Sequence, residues 1–534
     1  MKRDGIDIDK DNDKGNGGAG LQDGRKTAAV IGAGFGGLAL AIRLQASGIQ
    51  TTVFEKRDKP GGRAYVYKQD GFTFDAGPTV ITDPNALEEL FTLARQRMAD
   101  HVELLPVTPL YRLCWEDGDT FDYVNDQAEL ERQIALRSPR DVEGYRRFLA
   151  FSRDAMQHGY LELGAVPFLS WRDMAKAAPQ ILRLGAWRSV YDAVASFIHD
   201  ERLRQVFSFH ALLVGGNPFE ASAMYALIHA LEREWGVWFA RGGTGALIQA
   251  MCTLFQSMGG TLKLSEPTDA IVIENNRVVG VRSESGVTLP FDAVASNADV
   301  VHTYGHLMRG HARGREEAER LRQKRFSMSL FVVYFGLRGE RPDLAHHTVC
   351  FGERYRALIT EVFGDCGQAL PDDFSLYLHA PSVTDASLAP PGHSAYYVLA
   401  PVPHLANARV DWEVEGPRYR DRILDYLEER YLPGLRADLV TCRTFTPADF
   451  QSELNAHVGS AFSLEPLLLQ SAYFRPHNRD PKIANLYLVG AGTHPGAGIP
   501  GVLASAKATA GLVIEDLAKQ PAAQGQSARV QAWA

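Results

Sequence analysis

The chain has 534 residues, of which 45% are hydrophobic and 22% are charged. These proportions are typical of a globular protein and exclude a wholly disordered, collagen-like or coiled-coil chain. The formal net charge of −8 is small for this length and predicts no general attraction for nucleic acid. No unbroken apolar run reaches about 18 residues, which excludes a membrane-spanning helix.

The cysteines and the N-terminal residues predict a reduced, cytoplasmic setting. The five cysteines are odd in number and widely spaced, which argues against a disulfide framework or a structural zinc site, and we expect no metal centre. Residues 1–24 are rich in Asp and Gly and lack the apolar core of a signal peptide, so they predict a disordered leader. We expect residues 521–534 to form a flexible tail.

The first ordered segment predicts a nucleotide-binding βαβ unit. Residues 27–31 are typical of a short buried strand, residues 38–47 of a helix, and residues 51–55 of the next strand. Between the first strand and the helix lie Gly32, Gly34 and Gly37 in the spacing G-x-G-x-x-G. This spacing alone is weak evidence, but its position between strand and helix makes it specific.

Each part of this motif has a mechanical reason. Gly32 permits the tight turn, Gly34 lets a pyrophosphate approach the backbone, and Gly37 lets the helix pack closely on the strand. The N-terminus of the helix then favours the negative charge of the phosphates. Glu55 ends the second strand, where its carboxylate accepts hydrogen bonds from ribose hydroxyls and repels a 2′-phosphate. The unit therefore predicts a site for FAD or NAD rather than NADP.

A second glycine pair favours the longer of these two ligands. Gly61 and Gly62 follow shortly after Glu55 and precede Arg63, whose guanidinium suits a charge-assisted contact to a pyrophosphate. Such a loop suits a ligand whose phosphates and sugar chain extend past the first motif. A plain turn with a surface arginine is the alternative reading.

The C-terminal region predicts the other half of the site. Residues 485–490 are typical of a strand, and a helix is expected from about 502 to 517. The glycine-rich segment between them is interrupted by Pro500, so we interpret it as backbone folded against a planar ligand rather than a second nucleotide motif. The dipole of the following helix would stabilise negative charge on that ligand. His494 in this segment is either structural or a proton relay.

These motifs carry a resemblance. Residues 32–62 resemble the dinucleotide-binding motif of FAD-dependent flavoproteins of the amine-oxidase type. Further stretches resemble the bacterial carotenoid desaturases within that group, at residues 30–83, 138–145, 207–217, 236–245, 295–299 and 485–510. The resemblance implies that FAD is the redox centre. It also implies that phytoene receives four successive double bonds to give lycopene in carotenoid biosynthesis, and that oxygen or a quinone reoxidises the flavin.

The resemblance also implies the fold and its domains. We expect an α/β protein with a Rossmann-like FAD-binding domain of the amine-oxidase and glutathione-reductase type, an inserted α+β substrate domain and a helical membrane-facing segment. The expected bounds are 25–100, 236–305 and 475–520 for the FAD domain, 101–130 and 306–474 for the substrate domain, and 131–235 for the helical segment.

Family roles transfer to matching positions of this chain. They assign FAD contacts to Gly32, Gly34, Gly37, Glu55, Arg63, Thr268, Gly492 and Thr493, and they place Val502 under the flavin ring. Something must also accept the proton lost in desaturation. Asp173 and Lys176 are candidates for this role, although an exposed ion pair three residues apart on a helix is the commoner origin of such a pair.

Residues 165–190 predict contact with a membrane surface. They combine aromatic and aliphatic residues with four bases and one acid, which is typical of an interfacial segment. An ordinary amphipathic helix packed on the core gives the same pattern. The resemblance favours peripheral docking at the inner face of the cell membrane, because phytoene and its desaturation intermediates reside in the bilayer.

Three other functions remain open from the sequence. A sister carotenoid flavoprotein, such as a diapophytoene desaturase or a carotenoid isomerase, is the nearest. A non-enzymatic prenyl-lipid-binding protein of the same fold is more distant, because the complete set of Gly32, Gly34, Gly37 and Glu55 argues for a bound cofactor. A soluble NAD dehydrogenase is the weakest, since no motif supplies a polar substrate site.

Overall fold

The computed structural model describes residues 25–367, 370–371 and 373–520. The leader expected at residues 1–24 and the tail expected at residues 521–534 lie outside the described residues.

A five-stranded, wholly parallel sheet forms the base of the molecule. Its strands come from all three segments expected to build the FAD domain, in the spatial order Leu486–Leu488, Ala293–Ser296, Thr27–Ile31, Gln50–Phe54 and Thr261–Lys263. Buried aliphatic residues cover both faces, as parallel strands require. This arrangement confirms the predicted Rossmann-like α/β fold.

Different layers cover the two faces of the parallel sheet. Helices pack on one face, and we name two of them: the N-terminal helix Phe35–Ala46 and the C-terminal helix Ile499–Ala518. A three-stranded antiparallel sheet packs on the other face, with strands Thr268–Glu274, Arg277–Ser283 and Thr288–Pro290.

Both named helices begin three residues before their predicted starts. In the N-terminal helix, Gly34 is the extended N-cap, and Gly36 and Gly37 already lie in the first turn. In the C-terminal helix, Pro500 occupies the first turn, where a residue without an N–H loses no helical hydrogen bond. Glycine and proline therefore mark the starts of these helices rather than the ends of the preceding loops.

A seven-stranded mixed sheet forms the second body of the fold. Its spatial order is Leu439–Phe445, Ser329–Arg338, His393–Val402, Leu376–His379, His347–Phe351, Tyr111–Trp115 and Thr120–Tyr123. Alternate residues of the long strand Ser329–Arg338 face opposite sides. Phe331 and Val333 pack toward the helix Trp412–Arg430. Leu330 and Val332 lie on the opposite face, in the hydrophobic core that the mixed sheet shares with the helical segment.

Helices connect the strands of the two sheets and are densest between residues 127 and 257. The α-helices of the described residues, besides the two named above, are Pro84–Leu93, Gln127–Arg137, Asp141–Ala155, Trp171–Arg183, Val190–Ala195, Glu201–Ser208, Leu227–Trp235, Thr244–Ser257, Val300–His302, Ala312–Arg322, Tyr355–Phe363, Trp412–Arg430, Leu435–Asp438 and Pro447–Leu454. Two-stranded ribbons pair Val66–Gln69 with Phe72–Asp75 and Leu104–Pro106 with Trp238–Ala240. Within the described ranges, no helix has the length and apolar content to cross a membrane.

Candidate active site

A cavity of about 900 Å³ lies where the parallel sheet, the mixed sheet and the helical segment meet. Part of its wall is glycine-rich backbone that includes Gly32, Gly34, Gly61 and Gly62. The rest is mostly apolar side chains from the mixed sheet and the helices. We call these regions the nucleotide part and the apolar part of the cavity.

The backbone of the nucleotide part is packed too closely for side chains. A Cβ atom on Gly37 would lie 2.0 Å from the carbonyl oxygen of Gly32. A Cβ atom on Gly36 would lie 2.8 Å from Oδ1 of Asn297 and 3.1 Å from the Cα of Gly490. Glycine is therefore required here because the helix, the first turn and the C-terminal strand meet backbone to backbone.

Glu55 connects this turn to the ligand space. Its Oε2 accepts the N–H of Ala33 at 2.8 Å, and its Oε1 accepts the N–H of Arg57 at 3.0 Å. The side chain is buried and lines the cavity. Glu55 thus fixes the glycine turn and presents a carboxylate edge to whatever fills the nucleotide part.

Two helix N-termini open into the cavity without a side-chain cap. The caps are Gly34 for the N-terminal helix and Gly498 for the C-terminal helix, and neither has a side chain that can accept a first-turn N–H. Both glycines line the cavity. Uncapped N–H groups and the positive helix dipole favour negative charge, so the cavity has two built-in anion-binding ends.

Arg63 and Asp299 are two buried charged groups that also line the cavity. The Arg63 guanidinium donates from Nε to the carbonyl of Ala461 at 2.5 Å, and burial lowers its pKa. The Asp299 carboxylate accepts the N–H groups of Val301 and His302 at 2.8 and 3.2 Å, and burial raises its pKa. The sequence analysis did not predict Asp299 as a site residue. Its position just after a buried strand could have predicted that it caps the next helix.

Unpartnered polar atoms show that the cavity fits a polar ligand such as FAD. Thr268 Oγ1, Asp299 Oδ2 and His494 Nδ1 are buried, and the described residues supply none of them with a hydrogen-bond partner. All three residues line the cavity. Buried polar atoms are normally satisfied, so a ligand with hydroxyl and amide groups is the partner that they lack.

The other residues expected to contact FAD divide into two groups. Val502 lines the cavity at the first turn of the C-terminal helix. Gly37, Gly492 and Thr493 are not among the lining residues. A Cβ on Gly492 would lie 2.5 Å from Val300, and the Thr493 hydroxyl donates to a backbone carbonyl. These three shape the backbone behind the cavity, and direct contact with FAD stays a prediction.

The helix Trp171–Arg183 lies at the rim of the cavity, and we call it the mouth helix. Its residues Met174 and Ile181 line the cavity, whereas Asp173 and Lys176 do not. The Asp173 carboxylate accepts the N–H and O–H of Ser170 at 3.0 and 2.8 Å, which forms a capping box. A catalytic role for Asp173 or Lys176 stays a prediction.

His494 is held by its neighbours at the rim of the cavity. Its Nε2 lies 3.2 Å from the carbonyl oxygen of Leu163, and its ring packs edge-on against Phe168. Burial lowers its pKa to about 4, so the ring is neutral near pH 7.

The apolar part also contains several polar side chains that the sequence analysis did not predict. Tyr377 and Tyr397 line the cavity, and three buried histidines lie behind Tyr377 with one ring nitrogen each within 4.8 Å of one another: His346, His347 and His379. Glu232 also lines the cavity, where its Oε1 accepts the hydroxyl of Tyr111 at 2.7 Å. Each of these residues looks like ordinary core when read singly in the sequence.

The fold and the cavity together define a flavoprotein. The family model described as flavin containing amine oxidoreductase matches residues 35–514, and the chain belongs to this family. Cyclohexylamine oxidase from Brevibacterium oxydans IH-35A shares the fold, with a TM-score of 0.60, 17% identity, and coverage of 93% of this chain and 100% of that one.

Two relatives are similar along nearly the whole chain. The phytoene desaturase (lycopene-forming) of Pseudescherichia vulneris is 67% identical over 492 residues, which are 92% of this chain and 100% of that protein. The phytoene desaturase (lycopene-forming) of Pantoea ananas is 65% identical over 492 residues, with the same coverage. The resemblance drawn from the sequence motifs is confirmed.

Proposed function

We propose that this protein is an FAD-dependent desaturase that converts phytoene to lycopene by four successive double-bond insertions. The observation that carries the proposal is one continuous cavity with a polar backbone cradle at one part and an apolar wall at the other. A dinucleotide cofactor and a hydrocarbon fit these two parts respectively. High identity to lycopene-forming relatives over their full length selects phytoene among hydrocarbon substrates.

The chain's own residues position the reactants. FAD, when bound, accepts a hydride. Gly32, Gly34 and the N-terminal helix would hold its phosphates, and Glu55 would hold its ribose. Leu330 and Val332 belong to the wall that holds the hydrocarbon and excludes water, so that an allylic carbon is oriented for reaction. The substrate offers no polar group, so its binding relies on apolar contact alone.

We further propose that the mouth helix docks on the inner face of the cell membrane. Trp171 and Leu182 on this helix and Trp187, four residues after its end, are 64%, 63% and 62% exposed. Met174 and Ile181 on the same helix line the cavity. Exposed aromatic and aliphatic residues beside a cavity opening suit insertion into lipid headgroups, from which phytoene enters the apolar part. A quinone in the same membrane or dissolved oxygen then serves as the electron acceptor.

A reconstitution assay tests the reaction. Purified protein, FAD and phytoene-loaded liposomes are incubated, and the polyenes are identified by chromatography and absorption. We expect lycopene from the wild type. Partly desaturated or isomerised products, or unchanged phytoene with FAD retained, would each contradict the assignment in favour of a sister carotenoid flavoprotein. Unchanged phytoene without retained flavin would favour a binding protein.

A liposome assay tests the docking. Trp171→Ala together with Trp187→Ala should lower the liposome partition coefficient, measured by sedimentation, by about 30-fold or more, because each buried indole contributes roughly 1 kcal/mol or more at a membrane surface. Leu136→Ala is the matched control, since Leu136 is 75% exposed on a different helix. Equal sedimentation of the double variant and the control would refute docking through the mouth helix and the residues that follow it.

A further inference from the structure

The apolar part of the cavity contains hydroxyl groups that a hydrocarbon does not need. The Thr79 hydroxyl lies 2.8 Å from the Tyr397 hydroxyl and 3.4 Å from the Tyr377 hydroxyl. All three residues are buried and line the cavity. Burying polar groups beside an apolar ligand carries a cost in free energy, so this group of hydroxyls calls for a functional explanation.

A set of polar side chains, joined by three hydrogen bonds and one ring contact, leads from Tyr377 toward the surface. The Tyr377 hydroxyl lies 2.6 Å from Nδ1 of His347, whose ring is stacked parallel to that of His379 at 5.3 Å between centroids. Nε2 of His379 lies 2.9 Å from Nε2 of His346. Nδ1 of His346 lies 2.6 Å from the hydroxyl of Thr384, which is half-buried and reaches the edge of the protein.

The three histidines are suited to passing a proton without storing it. Burial lowers the pKa of His346 to about 3 and lowers the pKa values of His347 and His379 well below their usual range. All three rings are therefore neutral near pH 7. A neutral imidazole accepts a proton at one nitrogen and releases one from the other, so transfer along the set needs no long-lived buried charge. Between His347 and His379 one ring has to turn for this transfer, because Nε2 of His347 and Nδ1 of His379 have no hydrogen-bond partner among the described residues.

The inner end of this set lies beside the cofactor cradle. Thr79 follows Gly77 and Pro78 in a loop that packs directly on the backbone of Arg63, because a Cβ on Gly77 would lie 2.2 Å from the Arg63 carbonyl oxygen. Gly62 and Arg63 belong to the nucleotide part. The hydroxyl groups thus lie where the cofactor cradle and the apolar part adjoin.

Two other groups that line the cavity do not offer a comparable path. Glu232 is enclosed by the hydroxyl of Tyr111 at 2.7 Å and by Nε2 of His210 at 2.9 Å. His494 is bonded through Nε2 to the carbonyl of Leu163, and its Nδ1 has no partner among the described residues. In the part of the chain that the structure describes, neither group is bonded to a side chain that has a further hydrogen bond toward the surface.

We propose that Tyr377 accepts the proton lost in each desaturation step and that the proton leaves through His347, His379, His346 and Thr384. This proposal rests on the proposed function. One carbon of the substrate loses a hydride, with its electron pair, to FAD. The neighbouring C–H bond breaks, its electron pair forms the new double bond, and its proton goes to the Tyr377 oxygen. The hydroxyl proton of Tyr377 moves to Nδ1 of His347, and one proton reaches solvent beyond Thr384.

Tyr377→Phe tests the inner end of the route, with Tyr396→Phe as its control. Tyr396 is equally buried in the neighbouring strand, but it packs in the core on the opposite face of the mixed sheet. Flavin absorbance is followed anaerobically after mixing with phytoene liposomes. We expect Tyr377→Phe to slow flavin reduction at saturating phytoene by about 100-fold. Its FAD content and half-saturating phytoene concentration should stay unchanged, and Tyr396→Phe should match the wild type.

A readout without substrate tests the same contact. In protein labelled with ¹⁵N-histidine, Tyr377→Phe should shift the His347 ring-nitrogen signals, whereas Tyr396→Phe should leave them in place. Thr384→Val tests the outer end of the route, because it keeps the branched shape of this half-buried side chain but removes the hydroxyl that lies 2.6 Å from Nδ1 of His346. It should slow flavin reduction by about tenfold or more, and it decides the question if Tyr377→Phe fails to fold.

Several results would overturn the route. Tyr377→Phe or Thr384→Val reacting within about threefold of the wild type would do so, because loss of a positioned proton acceptor costs about 100-fold or more. So would a metal ion bound in one-to-one ratio and lost in His379→Gln, since the histidines would then be metal ligands. A wild type that retains FAD but does not oxidise phytoene would instead refute the proposed function.

Discussion

The two parts of the cavity are built in different ways. The nucleotide part is shaped by backbone, where Gly36 and Gly37 leave no space for a single methyl group. The apolar part is shaped by side chains such as Leu212, Ile228 and Val332, which come from separate helices and a strand. A binding surface made of backbone tolerates almost no substitution, whereas a wall of aliphatic side chains accepts changes that preserve its volume. Cofactor binding should therefore be the more fragile of the two properties.

Gly37→Ala should give the largest effect. The added Cβ would lie 2.0 Å from the Gly32 carbonyl oxygen, so the N-terminal helix must move away from the first strand. We expect a loss of about 3 kcal/mol or more in the free energy of unfolding, together with loss of FAD. Thermal denaturation and the flavin absorbance of purified protein measure both.

Gly511→Ala is the matched control for this substitution. Gly511 lies within the C-terminal helix, and a Cβ there meets no atom of the described residues within 4 Å. Its substitution should raise stability by about 0.5–1 kcal/mol, because alanine favours the helix. If both variants retained FAD equally, the backbone account of the nucleotide part would be wrong.

Glu55→Lys should weaken FAD binding without disturbing the apolar part. The substitution removes the acceptor for the Ala33 N–H and places a positive charge in a buried position. We expect FAD affinity to fall by about 10- to 100-fold, as for the loss of a buried hydrogen bond to a charged group. Glu55→Gln keeps an acceptor oxygen and should bind FAD more tightly than Glu55→Lys in fluorescence titration. Normal flavin content in Glu55→Lys would refute the assignment of this residue.

The same contrast explains how much of the site could be predicted from sequence. The glycine turn and Glu55 are close in sequence, and their spacing reflects backbone geometry, so both were predicted. The hydrogen bond between the hydroxyls of Thr79 and Tyr397 joins residues that are 318 positions apart in sequence. No local spacing marks such a pair, and a tyrosine in an apolar strand reads as core. Three of the five strands of the parallel sheet were predicted because they flank motifs, whereas the order of the mixed sheet depends on contacts distant in sequence.

Ile228→Trp should change the product while leaving the cofactor in place. Ile228 is partly buried and lines the apolar part, so an indole there fills space that the hydrocarbon occupies. We expect normal FAD content and a fall of about tenfold in kcat/KM for phytoene, with intermediates of fewer double bonds accumulating. Leu136→Trp, at an exposed position, should give wild-type products. Loss of FAD in Ile228→Trp would show that the two parts are not independent.

Asp173 should give the smallest effect, and two substitutions separate its two possible roles. Hydrogen bonds from Ser170 lower the pKa of Asp173 and form the cap of the mouth helix. Asparagine still accepts the Ser170 N–H, whereas alanine does not. If the carboxylate acts as a cap, Asp173→Ala should lose about 1 kcal/mol of stability, and Asp173→Asn should keep both stability and the rate of flavin reduction by phytoene. If Asp173 accepts the substrate proton, both variants should lose that rate equally, because neither retains a base. Stopped-flow flavin reduction and thermal denaturation of the pair therefore distinguish capping from catalysis. Equal inactivity of the two variants, with the stability of Asp173→Asn unchanged, would transfer the proton-accepting role from Tyr377 to the mouth helix.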